Sequence, residues 1–373
     1  TVTAQGNQDG NDIGDFYYAP PTGFLALCTS NLPDVAVVPS EHFNTITYTG
    51  DGTTGRSITG VGFQPDLVWY KRRDAGWWHT LTDSVRGAPK LLSSNVTNAE
   101  VTSPDGSISS FNSDGFTANA ASIPDYGINT NGESAVAWNW KANGSGSSNT
   151  NGSINSTVSA NVDAGFSIVT YTGGGAAATI GHGLSKAPEM VIVKRRNSAG
   201  AWLVGNIDLT FEKYLGLEQS AAAASHITVF NNTAPSSTVF SVGTDNDLSA
   251  SGGTYLSYCF HSVDGYSKVG SYTGNSSTDG TFVYTGFRPA FVMVKVTGLD
   301  EGWRMVDSKR GSYNVVDEIL YPNTNGAEAH SDDIDLLSNG FKLRKDDYGW
   351  NTSGYTYIYI AFAETPFKYS NAR

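Results

Sequence analysis

Three short apolar runs recur along the chain: Leu67-Val68-Trp69-Tyr70, Met190-Val191-Ile192-Val193 and Phe291-Val292-Met293-Val294. Continuous runs of this length bounded by turn residues mark strands buried on both faces. A proline stands ahead of each (Pro65, Pro188, Pro289), where a strand can begin without a ladder N–H. Each run ends on a lysine, Lys71, Lys194 or Lys295, followed by Asp74-Ala75-Gly76, Ser198-Ala199-Gly200 or Asp300-Glu301-Gly302 and then Trp78, Trp202 or Trp303. Glycine-containing turns of this kind predict three β-hairpins, each with a tryptophan opening the returning strand. Aromatic strands at 136–140, 255–260 and 357–362 close the three segments, and turn-plus-Phe sequences precede two of them, at 113–116 and 338–341. One interruption, 212–224, predicts a helix.

The runs are held in phase by a wider pattern. Counting from Tyr48, Tyr171 and Tyr272, each opening a Tyr-Thr-Gly triplet, the proline comes 17 residues later, the lysine 23, and the tryptophan 30 or 31. Four anchors in phase over three copies define an internal repeat. A unit of about 100 residues with short strands has the size of a β-sandwich or jelly roll and is longer than a propeller blade. The expected architecture is all-β: three tandem β-sandwich (jelly-roll/concanavalin-like) repeats at 42–142, 153–265 and 266–373, the last with a C-terminal tail. Residues 143–152, rich in Gly, Ser and Asn, predict a flexible linker. Copies one and three share Asp-Ser-x-Arg-Gly, at 83–87 and 307–311; copy two departs from it. A tryptophan fixed by repetition is expected to point into a core. The lysines are expected to be strand-end charges that block edge pairing.

The composition fits. Aromatic residues make up 12% of the 373 and charged residues only 16%, with 42 glycines, which suits pleated surfaces and frequent turns. A formal charge of −12 without a basic stripe argues against a nucleic-acid partner. Cys28 and Cys259 form no disulfide framework and read as small hydrophobes in a reducing compartment. No run of eighteen apolar residues occurs, so no membrane span is expected. The chain opens without Met or a signal pattern, which predicts a processed or partial product.

The search for chemistry yields little. HExxH, GxSxG, Walker and dinucleotide patterns are missing. The six histidines (His42, His79, His182, His226, His261, His330) lack ligand spacing and are expected in loops or at the surface. The clusters Asp332-Asp333-Ile334-Asp335, Asp245-Asn246-Asp247 and Asp346-Asp347 fit no calcium loop and read as solvated turns. No catalytic residue, metal site or cofactor is predicted. Trp77, His79, Tyr348 and Trp350, in or near turns, are the candidates for stacking on a ligand such as a sugar.

Residues 14–24 and 27–33 resemble the closing strand and exit of a SPRY/concanavalin-like sandwich of the kind found in large virion proteins of tailed phages. The pattern YTG…GFxPDLVWxKRR…DSVRG…SDGF…WNWK, with the ending YIAFAETPFKYSNAR, also resembles a domain family of marine tailed-phage virion proteins. The resemblance implies that residues 1–41 are the remnant of a preceding domain plus a connector. It also implies a fibre, spike or decoration protein, assembled in the host cytoplasm and displayed on the virion surface. Expected partners are other virion proteins, a host surface glycan and, by analogy, further copies of the chain in a trimer. One alternative is a tailspike-type polysaccharide depolymerase using acids such as Asp332, Asp335 or Asp346; another is a passive decoration binding only virion proteins.

Overall fold

The apolar runs form the middle of three large antiparallel sheets, and both of their faces are buried because side chains alternate across a strand. The computed structural model describes residues 3, 5–28, 31, 37–120 and 126–364, apart from the side chain of Asp332. Parts of the 27–33 and 359–373 motifs therefore lie outside the described residues.

The first large sheet runs Phe43–Thr49, Ser134–Trp140, Leu67–Arg72, Thr80–Asp83, Lys90–Ser93, Val101–Thr102. The second runs Ser147–Asn149, Ser156–Asn161, Phe166–Thr172, Thr254–Phe260, Met190–Arg195, Trp202–Asn206, Lys213–Gly216, Ala224–Ser225. The third runs Ser267–Thr273, Thr356–Ala363, Pro289–Val296, Arg304–Asp307. Each has a small companion sheet. These run Arg56–Thr59, Gly115–Ala118, Ile108–Asn112 in the first, and Ala178–Gly181, Val239–Val242 in the second. The third runs Phe282–Tyr284, Gly340–Leu343, Ala329–Leu337, Val316–Ile319. In all three large sheets the Tyr-Thr-Gly strand pairs with the aromatic closing strand, which in turn pairs with the apolar run.

Two expectations change. The Gly/Ser/Asn stretch is not a linker, since Ser147–Asn149 pairs with Ser156–Asn161 and extends the second sheet. Residues 212–224 hold no helix; Lys213–Gly216 is a strand, and the α-helices among the described residues are the single turns Ile227–Phe230 and Asn246–Ser249. The reason is local: no 3.6-residue apolar stripe runs through 212–224, and Tyr214 and Leu215 find strand partners.

The Tyr-Thr-Gly triplet fixes the end of each large sheet. The hydroxyls of Tyr48, Tyr171 and Tyr272 donate to the carbonyls of Ile128, Leu248 and Trp350 at 2.6, 2.9 and 2.8 Å. A Cβ on Gly50, Gly173 or Gly274 would press into the backbone of Thr130, Ala250 or Thr352. Only glycine admits that approach.

The odd and even faces of the large sheets have different fates. Ala135 and Ala137, Tyr255 and Cys259, and Tyr357, Tyr359 and Ala361 face their own small sheets and fill three separate cores. Val136, Trp138 and Trp140, Leu256, Tyr258 and Phe260, and Ile358, Ile360 and Phe362 all enter one central core shared by the three large sheets. At its middle a residual cavity of about 20 Å³ is lined by residues of all three, including Trp140, Met190, Phe260, Phe291 and Phe362. The sandwiches are therefore not beads in tandem. From Val37 onward they form one compact unit.

Contacts between neighbouring sheets close into a ring. Backbone N–H groups of Glu100, Ala223 and Glu328 donate to the carbonyls of Arg196, Thr297 and Arg73 at 2.7, 2.8 and 2.7 Å, linking first to second, second to third and third to first. The same ring is walked by indoles. Trp202 Nε1 donates to Ser93 O, and Trp303 Nε1 to Gly216 O, both at 2.8 Å.

The first compact unit, Thr1–Ala36, is small and irregular. Its described residues centre on Asp9, whose carboxylate accepts from the backbone of Asn11, Ile13 and Ala26 and from the Asn31 amide at 2.6–3.1 Å.

Candidate functional site

Of the four aromatic candidates, two are interior. Trp350 is fully buried in the third small core, donating Nε1 to Asp333 Oδ2 at 2.6 Å with the Arg304 guanidinium 5.6 Å from its ring. It occupies the place of Ile128 and Leu248, since all three carbonyls receive the triplet tyrosines, so the fold needs it as a core residue. His79 is also fully buried. Neither offers a ring to a ligand, which corrects the expectation of exposed turn residues. Trp77 is half-buried: its ring lies against Gly127 and the Arg72 guanidinium sits 5.2 Å from it. Tyr348 is 62% exposed, at the tip of a loop tied down by Asp347, which accepts from Gly349 and Trp350 N.

The strand register explains His79. Lys194 pairs with Trp202, and Val294 with Arg304, which sets Lys295 opposite Trp303. In the first sheet Tyr70 pairs with Thr80, so Lys71 faces His79. His79, not Trp78, is the counterpart of the two buried tryptophans. Trp78 is half-buried and packs edge-on against Tyr126 at 5.2 Å. His79 Nδ1 accepts from Trp69 Nε1 at 3.0 Å, so the proton sits on Nε2, which is buried without a hydrogen-bond partner. Burial, then the nearby Lys71 and Arg310 charges, holds this imidazole far below its ordinary value. His182 and His261 lie in loops, as expected, and are buried there.

The three lysines are not edge guards. Their strands have neighbours on both sides, and all three side chains are fully buried. Lys194 Nζ donates to Thr97 O and Gly200 O at 3.0 and 2.8 Å, and Lys295 Nζ to Val296 O and Leu299 O at 2.7 and 3.2 Å. Lys71 Nζ donates to Arg72 O and, at 3.0 Å, to Ala75 O. Each ammonium thus clamps its hairpin loop, and burial pulls each down to about 8.

The Asp-Ser-x-Arg-Gly motif is likewise structural. Arg86 binds Asp83 through Nε, Leu81 O at 2.9 Å and Glu100 at 3.2 Å, and Glu100 also holds Arg196 of the second sheet. Arg310 repeats this with Asp307, Met305 O, Glu328 and Arg73 of the first sheet. Among the acids considered for hydrolysis, Asp335 is buried and paired with Arg344 Nε at 2.5 Å.

The exposed chemistry lies on the outer face of the third small sheet. Residues Phe282 and Tyr284 point outward, 44% and 66% exposed, on either side of buried Val283. Alternate residues on a strand stand about 7 Å apart. Across the sheet, Phe282 faces Lys342 and then Asp335, while Tyr284 faces Gly340 and then Leu337. The Phe282 ring lies against Gly340. Lys342 and Arg344 pair with Asp279, at 2.5 and 3.4 Å, beside the rings. The sister sheets act as an internal control. The equivalent positions are Ser57 and Thr59 in the first, both exposed, and Thr179 and Gly181 in the second, where Gly181 is buried against Asn149. The fold therefore does not require aromatics there.

Residues 38–366 match the family described as a domain of unknown function, DUF7483. The chain belongs to this family. The DUF7483 match begins before the first strand of the large sheets and ends after the last, so the family unit is the whole ring and not one sheet pair. No curated protein matches the chain.

Proposed function

We propose that this chain is a structural and adhesive protein of a phage virion surface, a fibre, spike or decoration, that presents the Phe282/Tyr284 face to a host glycan. The observation that carries the adhesive part is the outward aromatic pair at positions filled by Ser, Thr or Gly in the sister sheets. Two flat apolar rings flanked by Lys342, Arg344 and Asp279 match a sugar, whose C–H face stacks on aromatics while its hydroxyls take charged hydrogen-bond partners. The virion setting rests on the motif resemblance alone. Of the acids weighed for hydrolysis, Asp335 is buried and committed to an ion pair with Arg344, which favours binding over hydrolysis in this reading.

The test is binding of the full chain to capsule and lipopolysaccharide from host bacteria, beside the variant Phe282→Ser/Tyr284→Thr, which carries the residues of the first sheet. Stacking on two rings at about 1 kcal/mol each predicts a loss of ten- to fiftyfold. Equal binding by the variant, or no glycan binding by either, removes the adhesive assignment and leaves decoration. Released oligosaccharide would point to depolymerisation instead.

A further inference from the structure

We propose that Asp317, Glu318 and His330, on the edge strand of the third small sheet and its neighbour, form a binding site for a divalent transition-metal ion of the zinc class. The three side chains can each present one ligand atom such that all lie within 4.8 Å of one another. Glu318 and His330 are direct cross-strand partners, and the ladder shifts register between Val316 and Glu318. That irregularity is what lets two adjacent carboxylates serve one point, since regular strand neighbours face opposite sides. His330 Nδ1 stands 3.6 Å from Asp317 Oδ2. Two ligands about 2.1 Å from a tetrahedral zinc lie about 3.4 Å apart, so little movement is needed.

The sister sheets again supply the comparison. The pair equivalent to Glu318–His330 is Lys90–Thr102 in the first large sheet and Lys213–Ser225 in the second. A lysine beside a hydroxyl suits a solvated edge and repels a cation. Only the third copy replaces the lysine with a carboxylate, the hydroxyl with an imidazole, and puts an aspartate beside them. Within the cluster, Glu318 Oε2 is a buried atom with no hydrogen-bond donor in reach. A carboxylate oxygen removed from water needs a compensating proton donor or cation. The mixed nitrogen and oxygen set favours zinc, cobalt, nickel or manganese over calcium, which takes oxygen ligands only. Three protein ligands leave coordination positions open for water or an outside group.

The site does not depend on the adhesive reading. The test is calorimetric titration of untagged, chelator-treated full chain with zinc chloride, with cobalt(II) absorption as a second reading of coordination. One zinc per chain with micromolar affinity is expected, with a tetrahedral cobalt spectrum. Glu318→Lys/His330→Thr, the pair of the first sheet, should lose at least tenfold in affinity and the cobalt bands while keeping its far-ultraviolet circular dichroism. Absence of saturable uptake below about 100 µM, or uptake unchanged in that variant, would overturn the proposal.

Discussion

Trp138 donates its indole Nε1–H to Asp307 Oδ2 at 3.0 Å across 169 residues of sequence, and Tyr258 donates its hydroxyl to Asp83 Oδ2 at 2.9 Å in the same manner. Both bonds run from one large sheet to the buried acid of its neighbour. By register, the third member of the series sets Asn206 against Ile360. Leu209, Ala223 and Thr297 stand there for the arginine, the glutamate and the second arginine. Two interfaces of the ring are thus ionic and one is neutral, on the same backbone frame.

That comparison predicts how the ionic interfaces fail. Arg310→Leu leaves Asp307, which is fully buried, without its cation and Glu328 with Arg73 alone. Removing one member of a buried ion pair costs about 3–5 kcal/mol. Replacing the whole set, Asp307→Asn/Arg310→Leu/Glu328→Ala/Arg73→Thr, copies the neutral interface and keeps an oxygen for Trp138. It should recover more than half of the loss in urea unfolding followed by tryptophan fluorescence. A quadruple variant as unstable as the single one would show that the neutral interface is not interchangeable with the ionic ones.

Trp69 and His79 form a second coupled pair, because the imidazole both fills a tryptophan position and accepts from the Trp69 indole. The residues equivalent to Trp69 are Ile192 and Met293, which have no N–H to satisfy. His79→Trp alone orphans a buried indole donor and overfills the site, at about 2–4 kcal/mol. Adding Trp69→Ile reproduces the pairing of the second sheet and should restore at least 1 kcal/mol. Additive losses in the double-mutant cycle would refute the coupling.

Much of this was legible. The all-β fold and both-face burial follow from the apolar runs and their turns, and the phase of the Tyr-Thr-Gly anchors contains the His79 substitution. Thirty-one residues after Tyr48, Tyr171 and Tyr272 stand His79, Trp202 and Trp303. Trp78, thirty residues after Tyr48, stands next to it and masks it. The ionic interfaces were also written in the chain. The Asp-Ser-x-Arg-Gly motif is in copies one and three and the second arginine after the lysine, Arg73 and Arg196, in copies one and two. That mismatch makes sense only if each motif meets the next copy around a ring. The outward aromatics and the Asp317–Glu318–His330 cluster could not be phased, because loops of unequal length precede them and a register shift brings the latter together.

The triplet glycines and tyrosines should prove unequal in cost. Gly173→Ala places a Cβ about 2.6 Å from Ala250 O, closer than real Cβ contacts come, and the backbone must move. A loss of about 3 kcal/mol or more is expected, comparable to other severe overpacking. Tyr171→Phe removes one hydrogen bond to Leu248 O and should cost about 1–2 kcal/mol. Chemical unfolding that ranks the phenylalanine variant below the alanine variant would contradict this account of the motif.

Histidine burial sets the acid limit of stability. His182 is fully buried, with Nδ1 accepting from Leu184 N at 3.1 Å, and burial lowers it to about 4. His79 is held low as well. Both groups bind a proton in the unfolded chain near pH 6.5 and refuse it in the folded one until lower pH. Stability should therefore be full above about pH 6.5 and fall as pH drops toward 4, by about 3 kcal/mol for His182. His182→Gln should flatten part of that slope in urea midpoints measured between pH 4 and 7; an unchanged slope would remove His182 as its source.

The buried lysines predict an unusual alkaline limb. Lys71, Lys194 and Lys295 are lowered by burial to about 8, against an ordinary value of 10.5. Between those values the unfolded chain holds protons that the folded chain has released, so stability rises with pH in that window. The gain from pH 8 to 10 is on the order of 1–2 kcal/mol per lysine. Above pH 10 the sign reverses, because burial raises Tyr48, Tyr171 and Tyr272 well above their ordinary value and the unfolded chain loses those protons first. The midpoint of chemical unfolding should accordingly climb from pH 8, peak near pH 10 and then fall. Lys194→Met, with a side chain of similar length and no charge to desolvate, should flatten the climb by about one third. A midpoint that declines steadily from pH 8 would mean that the clamped ammoniums keep their protons in the fold.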